Sequence, residues 1–382
     1  MLGSKAKAPG KILWLGGYSA LEKPNKGFVT TVDSYVNVEV KKLDGMKLVL
    51  NSISLNETAT GTIADNSRFE IRTSEEMELF RTAVELSLSY VSALGIRLGG
   101  MEVAAYNDPG FSYSMTNGKL SKSGLGSSAA VTVATIGAVL HAYGVDTGKD
   151  DCLHKLSQLS HSVATGKTSS GFDIAAATHG TIIYERYTPE ITSGFPTDYS
   201  PEELLGLIKR DWDYKIERFS MPGIFRTSYA SFVGEGMSTK MAISKVFDFK
   251  KRNPSKYVEL MASINSAASR SIEALRRIGK DGSNERSLDE FKTSFNEGRF
   301  ATKELGVESG VGIEDDYCTR LIEESCKNGA FVAKLPGAGG MDAIAALSIG
   351  GREKALRKFW GANKSLSVID VRIGNSGFSS SA

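Results

Sequence analysis

The sequence predicts an α+β protein built from two domains. Its 382 residues exceed the usual size of one domain. Helical segments alternate with short apolar ones, and the second half places helices beside an antiparallel hairpin, which is a layered α+β arrangement. A proline-containing change of composition over residues 188–213 marks the connection between the halves. The predicted domains are therefore 1–215 and 216–382.

Hydrophobic periodicity predicts the elements of the first half. Residues 11–15 form an apolar run bounded by glycine, which is typical of a buried strand, whereas alternation over 28–42 predicts a half-buried strand. Over 75–94 the apolar residues stand three or four apart, as in an amphipathic helix. The other predicted elements are a strand at 101–106, a polar loop at 107–123, a buried helix at 129–143 that is apolar nearly all round, and a helix at 150–165.

Hydrophobic periodicity also predicts the elements of the second half. Apolar residues have helical spacing in three successive segments. A strand, a glycine turn and a second strand follow, and then a helix and a last strand. The predicted bounds are helices at 256–278, 286–305 and 314–327, strand 331–335, turn 337–340, strand 342–348, helix 352–361 and strand 367–372.

Composition argues against several classes of protein. The 46 Lys and Arg residues nearly balance the 44 Asp and Glu residues, so neither nucleic acid nor a membrane surface is an expected partner. The three cysteines have no metal-site spacing, and the amino terminus has no apolar signal core. We expect a cytoplasmic protein, either a monomer or a homodimer. Glycine is in excess, with 40 residues, which often marks backbone that approaches a ligand closely.

The strongest chemical signal is the segment Ser121-Lys-Ser-Gly-Leu-Gly-Ser-Ser-Ala-Ala130. Two glycines and small polar residues precede a long buried helix, whose free first-turn N–H groups and dipole suit an anion. Ser127 or Ser128 could cap that helix or ligate Mg²⁺. The segment has neither the closing G-K-[ST] of a Walker loop nor the dinucleotide fingerprint. An ordinary helix cap after a glycine turn is the alternative.

Three further segments draw attention, although each has an ordinary explanation when taken alone. Lys11 begins a buried strand beside Pro and Gly, where a surface lysine is the alternative. Asp173 lies between a glycine-rich turn and an apolar stretch, where a carboxylate is costly unless it is paired or caps a helix. Residues 334–342 place a glycine loop between two strands, which alone is a hairpin turn.

Together the four segments resemble the GHMP kinase superfamily, whose members include galactokinase, homoserine kinase and mevalonate kinase. Residues 7–18, 122–130 and 337–342 are similar to its first, second and third motifs, in the family's order. Within the superfamily the chain is most similar to the eukaryotic and archaeal phosphomevalonate kinase branch. The similarity to that branch rests on Gly16-Gly-Tyr18, Lys122-Ser-Gly-Leu-Gly-Ser-Ser128 and Gly166-Lys-x-x-Ser-Gly-Phe-Asp173.

The resemblance implies an N-terminal domain like ribosomal protein S5 domain 2, a ferredoxin-like C-terminal domain, and ATP-dependent phosphorylation of 5-phosphomevalonate with Mg²⁺. It also implies roles: Lys11 and Asp173 match the catalytic residues, and Ser128 matches the serine that approaches the metal. The residues implied in ATP binding are Asn107, Ser123, Gly124, Leu125, Gly126, Ser127 and Ser128. Those implied in acceptor binding are Lys11, Tyr18, Lys167, Gly339 and Gly340.

One departure from the superfamily concerns the metal. Several relatives carry an acidic Mg²⁺ ligand eleven residues before the catalytic aspartate, and Ser162, next to His161, stands there in this chain. We therefore expect the ATP phosphates, Ser128, water and Asp173 to hold Mg²⁺. The alternatives left open are a kinase for mevalonate, homoserine or a sugar, a related decarboxylase, and a non-catalytic sensor with this fold.

Overall fold

The computed structural model describes residues 3–64, 69–111, 114–116, 119–121, 123–166, 170–196, 198–234, 239–281 and 284–381. The strands are β1 (Ser4–Leu15), β2 (Lys26–Lys42), β3 (Lys47–Ser52), β4 (Glu57–Ile63), β5 (Phe69–Glu70), β6 (Met101–Asn107), β7 (Ser114–Thr116), β8 (Lys119–Ser121), β9 (Ile182–Glu185), β10 (Lys215–Arg218), β11 (Phe225–Phe232), β12 (Val332–Lys334), β13 (Ala343–Ile349), β14 (Leu366–Ile369), β15 (Ile373–Gly374) and β16 (Ser379–Ser381). The helices are α1 (Glu78–Ala93), α2 (Ser127–Ala142), α3 (Cys152–Thr165), α4 (Phe172–His179), α5 (Glu190–Ser193), α6 (Pro201–Lys209), α7 (Thr239–Arg252), α8 (Pro254–Asp281), α9 (Glu285–Ser309), α10 (Asp316–Lys327) and α11 (Glu353–Gly361).

A ten-stranded sheet organises the first half. Its strands run in the order β10-β9-β2-β6-β3-β4-β5, and β1 pairs antiparallel with β2 along most of its length. The apolar helix α2 lies against β1 and β2 and packs against α1, α3 and α4. This buries α2 on all sides, as its apolar composition predicted, and fixes the direction in which its N-terminus points.

The second half is built on a four-stranded antiparallel sheet in the order β12-β13-β11-β14. Alternate residues of β13 serve two cores, as the two-residue period of a strand requires. Ala345 and Leu347 join the core that contains Phe295 of α9, whereas Ile344 and Ala346 pack in the core of α10 and α11. The long helices α8 and α9 pack along each other, and α8 also contacts the 3-10 helix Gly17–Leu21 that follows β1.

The chain end returns to the first sheet. β15 pairs with β2, and β16 pairs with β1 through Lys5 and Ser381. β10, which begins at Lys215, also pairs within this sheet. The domain division at residue 215 therefore stays a prediction. The pairing of β10, β15 and β16 shows where the two halves of the chain are joined. No helix in the described ranges is long and apolar enough to cross a membrane.

Several predicted elements differ from the structure. The region 107–123 was expected to be a loop, but it contains the hairpin of β7 and β8, whose short polar strands give no alternating signal. The proline-rich connection at 188–213 holds α5 and α6, and α6 starts with a capping box formed by Ser200 and Glu203. Helix α7 was not predicted from the sequence, although Ala242, Val246 and Phe249 are spaced as on one helix face.

Candidate active site

A glycine turn leads directly into α2. Gly124 and Gly126 have φ angles of +73° and +81°, in the left-handed region that glycine adopts most readily. Gly126 stands at the N-cap of α2, so neither Ser127 nor Ser128 caps the helix as the sequence had allowed. Because glycine offers no capping side chain, the first-turn N–H groups remain available to an anion. Both serines are half-buried at the entrance to this turn.

Two hydrogen bonds hold this glycine turn, one from Lys11 and one from Tyr229. The backbone N–H of Lys11 donates to the carbonyl of Leu125 at 2.8 Å, and the hydroxyl of Tyr229 donates to the carbonyl of Ser123 at 2.9 Å. A Cβ atom on Gly126 would lie 2.8 Å from Cε of Lys11, and one on Gly124 would lie 2.7 Å from the Tyr229 hydroxyl. The glycines thus let a lysine of β1 and a tyrosine of β11 approach the turn closely.

Lys11 is placed at this turn by the shape of its strand. The pairing of β1 with β2 shifts register between Pro9 and Lys11. This irregularity changes the direction of β1 at Lys11, the first residue after the shift. The side chain is half-buried, and its Nζ lies 5.7 Å from the centre of the Phe172 ring. Burial lowers the pKa of Lys11, while the charges of Asp173 and Asp342 act to raise it.

Asp173 sits in the first turn of α4. Gly171, with φ +78°, forms the N-cap, and its carbonyl accepts a hydrogen bond from the side-chain amide of Gln158 at 2.8 Å. The Asp173 carboxylate accepts from the N–H of Ile174 at 3.0 Å and is half-buried. A carboxylate in the first turn is favoured by the helix dipole, so its local position is explained without a ligand. Its charge nevertheless acts on Lys11, the other residue that matches a catalytic position of the family.

The third glycine segment reaches the same region from the other half of the chain. Gly339 has φ +79°, and the N–H of Gly340 donates to the carbonyl of Ile313 at 2.7 Å, which seats the loop. The hydroxyl of Tyr18 donates to the carbonyl of Ala338 at 2.8 Å. The first and third glycine-containing segments are therefore in direct contact.

Some of the residues selected from the sequence are bonded to other elements of the fold or lie outside the described ranges. The backbone N–H of Asn107 donates to the Ser54 hydroxyl at 3.0 Å, and the Asp108 carboxylate accepts from the backbone N–H of Tyr35 at 2.9 Å. These bonds tie Asn107 to the 3-10 helix Ile53–Leu55 and Asp108 to β2. Lys122 and Lys167 lie outside the described residues. Ser162 is buried in α3, and within the described ranges no group of three or more His, Cys, Asp or Glu side chains could hold a metal.

Three residues that the sequence reasoning did not select complete the site. Tyr229 had no sequence signal, because a buried tyrosine in a strand is commonplace. Asp342 had a sequence signal, since it lies two residues after the glycine loop. Its charge acts on Lys11, Tyr18 and Tyr229. Lys334 precedes the same loop, and its ammonium donates to the carbonyl of Trp14 at 3.1 Å. Burial lowers the pKa of Lys334 to about 8.

Comparison with known proteins agrees with this geometry. The family model for the GHMP kinases N terminal domain matches residues 85–181, which include the glycine turn, α2 and Asp173. The peroxisomal phosphomevalonate kinase of Arabidopsis thaliana is 26% identical, with 95% of this chain and 93% of that protein covered. The phosphomevalonate kinase of Saccharolobus solfataricus is 28% identical, with 96% of both chains covered.

Solved structures give the same fold. The Lin0012 protein from Listeria innocua superimposes with a TM-score of 0.82 at 22% identity, covering 100% of this chain and 99% of that one. The Streptococcus pneumoniae phosphomevalonate kinase in complex with phosphomevalonate and AMPPNP gives a TM-score of 0.74 at 20% identity, covering 98% and 100%. The expected two-part α+β kinase fold is thereby confirmed. The glycine turn before α2, the fold and the full-length relatives together make this chain similar to the GHMP kinases, and among them to phosphomevalonate kinases.

Proposed function

We propose that this protein transfers the γ-phosphoryl group of ATP to (R)-5-phosphomevalonate, which forms 5-diphosphomevalonate in the mevalonate pathway of isoprenoid biosynthesis. The observation that carries the proposal is full-length similarity to phosphomevalonate kinases of a plant, a fungus and an archaeon. The clustering of Lys11, Asp173 and the glycine turn supports it, because phosphoryl transfer needs mainly positioning and neutralisation of charge.

The glycine turn suits the ATP phosphates. Gly124 is exposed and Gly126 half-buried, so backbone N–H groups and the first turn of α2 can meet phosphate oxygens. Ser128 lies in that first turn with a half-buried side chain. The Thr132 hydroxyl donates to the Ser128 backbone carbonyl at 2.9 Å and not to the Ser128 side chain. We assign these residues to the β- and γ-phosphates.

Lys11 suits the transferring group. Its side chain packs beneath Gly126, at the end of the turn nearest α2. Cationic Lys11 would offset the negative charge that accumulates when two phosphorylated molecules meet. Tyr18, with Gly339 and Gly340 on the facing loop, would border the acceptor, since these residues join the two halves beside the centre.

Asp173 would orient Lys11 or the metal. A phosphomonoester has a second pKa near 6, so at pH 7 the acceptor is already mostly a dianion. No proton then needs to be removed from the attacking oxygen. The carboxylate is therefore more useful for holding a cation than as a general base.

The donors present are compatible with Mg²⁺. Ser128 offers a hydroxyl oxygen and Asp173 a carboxylate oxygen, and oxygen is the ligand type this ion prefers. With Ser162 at the position where relatives carry an acid, the protein would contribute few ligands and the ATP phosphates the rest. When bound, Mg²⁺ supplies neutralisation of phosphate charge.

The test is a coupled ATPase assay with purified protein and a panel of acceptors: 5-phosphomevalonate, mevalonate, homoserine and galactose. We expect turnover that depends on 5-phosphomevalonate, with kcat/KM at least about 100-fold above the alcohols, because groups that pair with an acceptor phosphate lose their partner when the acceptor has none. Preferential turnover of mevalonate would favour the alternative of an alcohol kinase, a class to which the 24% identical mevalonate kinase of Pyrococcus abyssi belongs. ATP binding without turnover of any acceptor would favour the non-catalytic sensor.

A further inference from the structure

The side chain of Gln158 makes a buried hydrogen bond to the start of α4. Gln158 lies in α3, outside the four segments on which the family resemblance rests, and it is 2% exposed. Its Nε2 donates to the backbone carbonyl of Gly171 at 2.8 Å. The same carbonyl accepts the N–H of Ala175 at 3.0 Å, which is a backbone bond of the first turn of α4. Gln158 is thus bonded to the residue that forms the N-cap of this helix.

The side chains around Gly171 fit its backbone closely. Gly171 has φ +78°, and a Cβ atom there would lie 2.7 Å from Oε1 of Gln158 and 2.9 Å from the hydroxyl of Tyr184. The orientation of the amide is fixed, because only its nitrogen can donate to a carbonyl. Side chains from α3 and β9 therefore enclose the N-cap of α4, and Gly171 leaves them the room to do so.

The amide of Gln158 is an expensive choice for packing alone. Within the described residues its Oε1 is buried and has no hydrogen-bond partner. A buried carbonyl oxygen without a partner has given up its bonds to water and gained none in return. A methionine of similar length would fill the same space without that loss. The hydrogen bond to Gly171 is what distinguishes the amide from such a residue.

The residues that follow Gly171 face Lys11. The Nζ of Lys11 lies 5.7 Å from the centre of the Phe172 ring, and the charge of Asp173 favours the ammonium form of Lys11. Phe172 and Asp173 both stand in the first turn of α4, so the backbone at the N-cap sets the direction of both side chains. A contact from Gln158 to the N-cap therefore acts on the side chains that face Lys11.

We propose that Gln158 is a positioning residue for the phosphoryl transfer, which fixes the N-cap of α4 so that Asp173 stays directed at Lys11. Gln158 acts through Gly171 and does not itself touch the reacting groups. Because a displacement of about 1 Å at a reaction centre can cost about 100-fold in rate, a small shift of this helix start is enough to lower kcat. The catalytic part of this role rests on the proposed function, whereas the bond to α4 does not depend on the substrate.

Gln158→Met, alone and combined with Asp173→Asn, tests this role. Methionine keeps nearly the length of glutamine but has no N–H to donate. We expect Gln158→Met to lower kcat about 10-fold and to change the KM for ATP by less than about threefold, because the glycine turn before α2 is untouched. In the Asp173→Asn background the same substitution should change kcat by less than about twofold, since the carboxylate that it misdirects is absent.

Lys155→Met is the matched control. Lys155 stands on the same helix, is also buried, and donates to the backbone carbonyls of Ile208 and Arg210 at 3.1 and 2.9 Å. These bonds lead to α6 and its end instead of α4, so their loss should lower stability and leave kcat within about twofold of wild type. Thermal unfolding of both variants compares the losses of stability.

Hydrogen exchange gives a second readout, which needs no turnover. The amides of residues 172–179 should exchange at least about fivefold faster in Gln158→Met than in Lys155→Met, because only the first variant loosens the start of α4. If Gln158→Met does not fold, Gln158→Asn takes its place in both measurements, since its amide is one methylene too short for the same bond.

Three results would overturn the inference. Equal fold losses of kcat from Gln158→Met in the wild-type and Asp173→Asn backgrounds would show that Gln158 does not act through Asp173. Faster exchange of α4 without a loss of kcat would make the bond purely structural, and unchanged exchange would show that it does not fix the N-cap. The kinetics use whichever panel acceptor the wild-type protein phosphorylates. Absence of turnover with every acceptor would refute the proposed function and the catalytic part of this role, while hydrogen exchange still decides whether Gln158 fixes α4.

Discussion

The phenolic hydroxyl of Tyr18 donates a hydrogen bond to the carbonyl of Ala338 at 2.8 Å, across 320 residues of sequence. A second bond of the same kind joins the Lys334 ammonium to the carbonyl of Trp14 at 3.1 Å. Both acceptors are backbone carbonyls, so each bond needs one particular side chain and the correct path of the backbone opposite it. The loop of the second half and the end of β12 before it are thereby fixed to the 3-10 helix Gly17–Leu21 and to β1.

Tyr18→Phe should therefore raise the KM for the acceptor several-fold while the KM for ATP stays near its wild-type value. Burial raises the pKa of Tyr18, so its hydroxyl remains a donor throughout the working pH range. The substitution leaves the Ala338 carbonyl without this partner, and we expect the free energy of unfolding to fall by about 1 kcal/mol.

Tyr143→Phe is the control, because the Tyr143 hydroxyl donates to the carbonyl of Gly99 at 3.1 Å and accepts from the Gly99 N–H at 3.2 Å. It should reduce stability by at least as much and leave both KM values unchanged. Equal kinetic effects from the two tyrosine variants would contradict a role for Tyr18 at the acceptor. The measurements are steady-state kinetics and denaturant unfolding.

Gly126→Ala should damage catalysis more than stability. The substitution puts a side chain in the left-handed region, at a cost of about 1–2 kcal/mol. It also drives a Cβ into the end of the Lys11 side chain, which must move away. We expect kcat/KM for ATP to fall about 100-fold, the scale for losing a preorganised charge.

Gly144→Ala is the control that separates the effect of backbone strain from the effect of displacing the Lys11 side chain. Gly144 has φ +72°, and a Cβ there would meet nothing within 4 Å. This variant should lose comparable stability in chemical denaturation while keeping wild-type kinetics. If it loses activity to the same degree, backbone strain alone explains the Gly126 result.

The glycine turn was predictable from sequence because its signal is local: two glycines and small residues before a buried helix. Lys11 and Asp173 could also be selected as candidates, because each stands beside its own glycine segment, and their catalytic roles stay predictions. Tyr229 and Asp342 were not selected, since their value comes from β11 and β13 packing against a turn formed more than 100 residues earlier. The hairpin inside 107–123 was missed because its strands are polar and only three residues long.

Ser128→Ala should lower kcat about 10-fold or more with little loss of stability, if the hydroxyl meets the metal and phosphate. The helix should tolerate alanine well, because Gly126 occupies the N-cap and the Thr132 hydroxyl bonds only the backbone of residue 128. Rates are measured at saturating ATP over a range of Mg²⁺ concentrations, and thermal unfolding provides the control. A wild-type kcat at every Mg²⁺ concentration would refute the assignment of Ser128.

Lys334 gives a prediction for stability against pH. Its pKa in the folded protein is about 8, below its ordinary value of 10.5, so the unfolded chain binds more protons between these values. The Lys334 contribution to the free energy of unfolding is therefore constant below about pH 8 and becomes more favourable as the pH rises toward 10.5. Denaturant unfolding of wild type and Lys334→Met from pH 7 to 10 should show their difference moving in favour of the wild type. A difference that does not vary with pH would show that Lys334 keeps its ordinary pKa.

The pH–rate profile distinguishes two roles for Asp173. With a phosphomonoester acceptor, the acidic limb of the profile should lie near the second pKa of the acceptor itself, about 6. Asp173→Asn should lower kcat because Lys11 or the metal is less well oriented, yet the limb should stay in place, since the group that titrates belongs to the substrate. The profile is measured with wild type and Asp173→Asn at saturating ATP, and thermal unfolding at the lowest pH confirms that both remain folded. If the limb instead disappears in Asp173→Asn, the aspartate is the titrating base. A base is needed only when the attacking group carries a proton, so that outcome would favour an alcohol acceptor such as mevalonate.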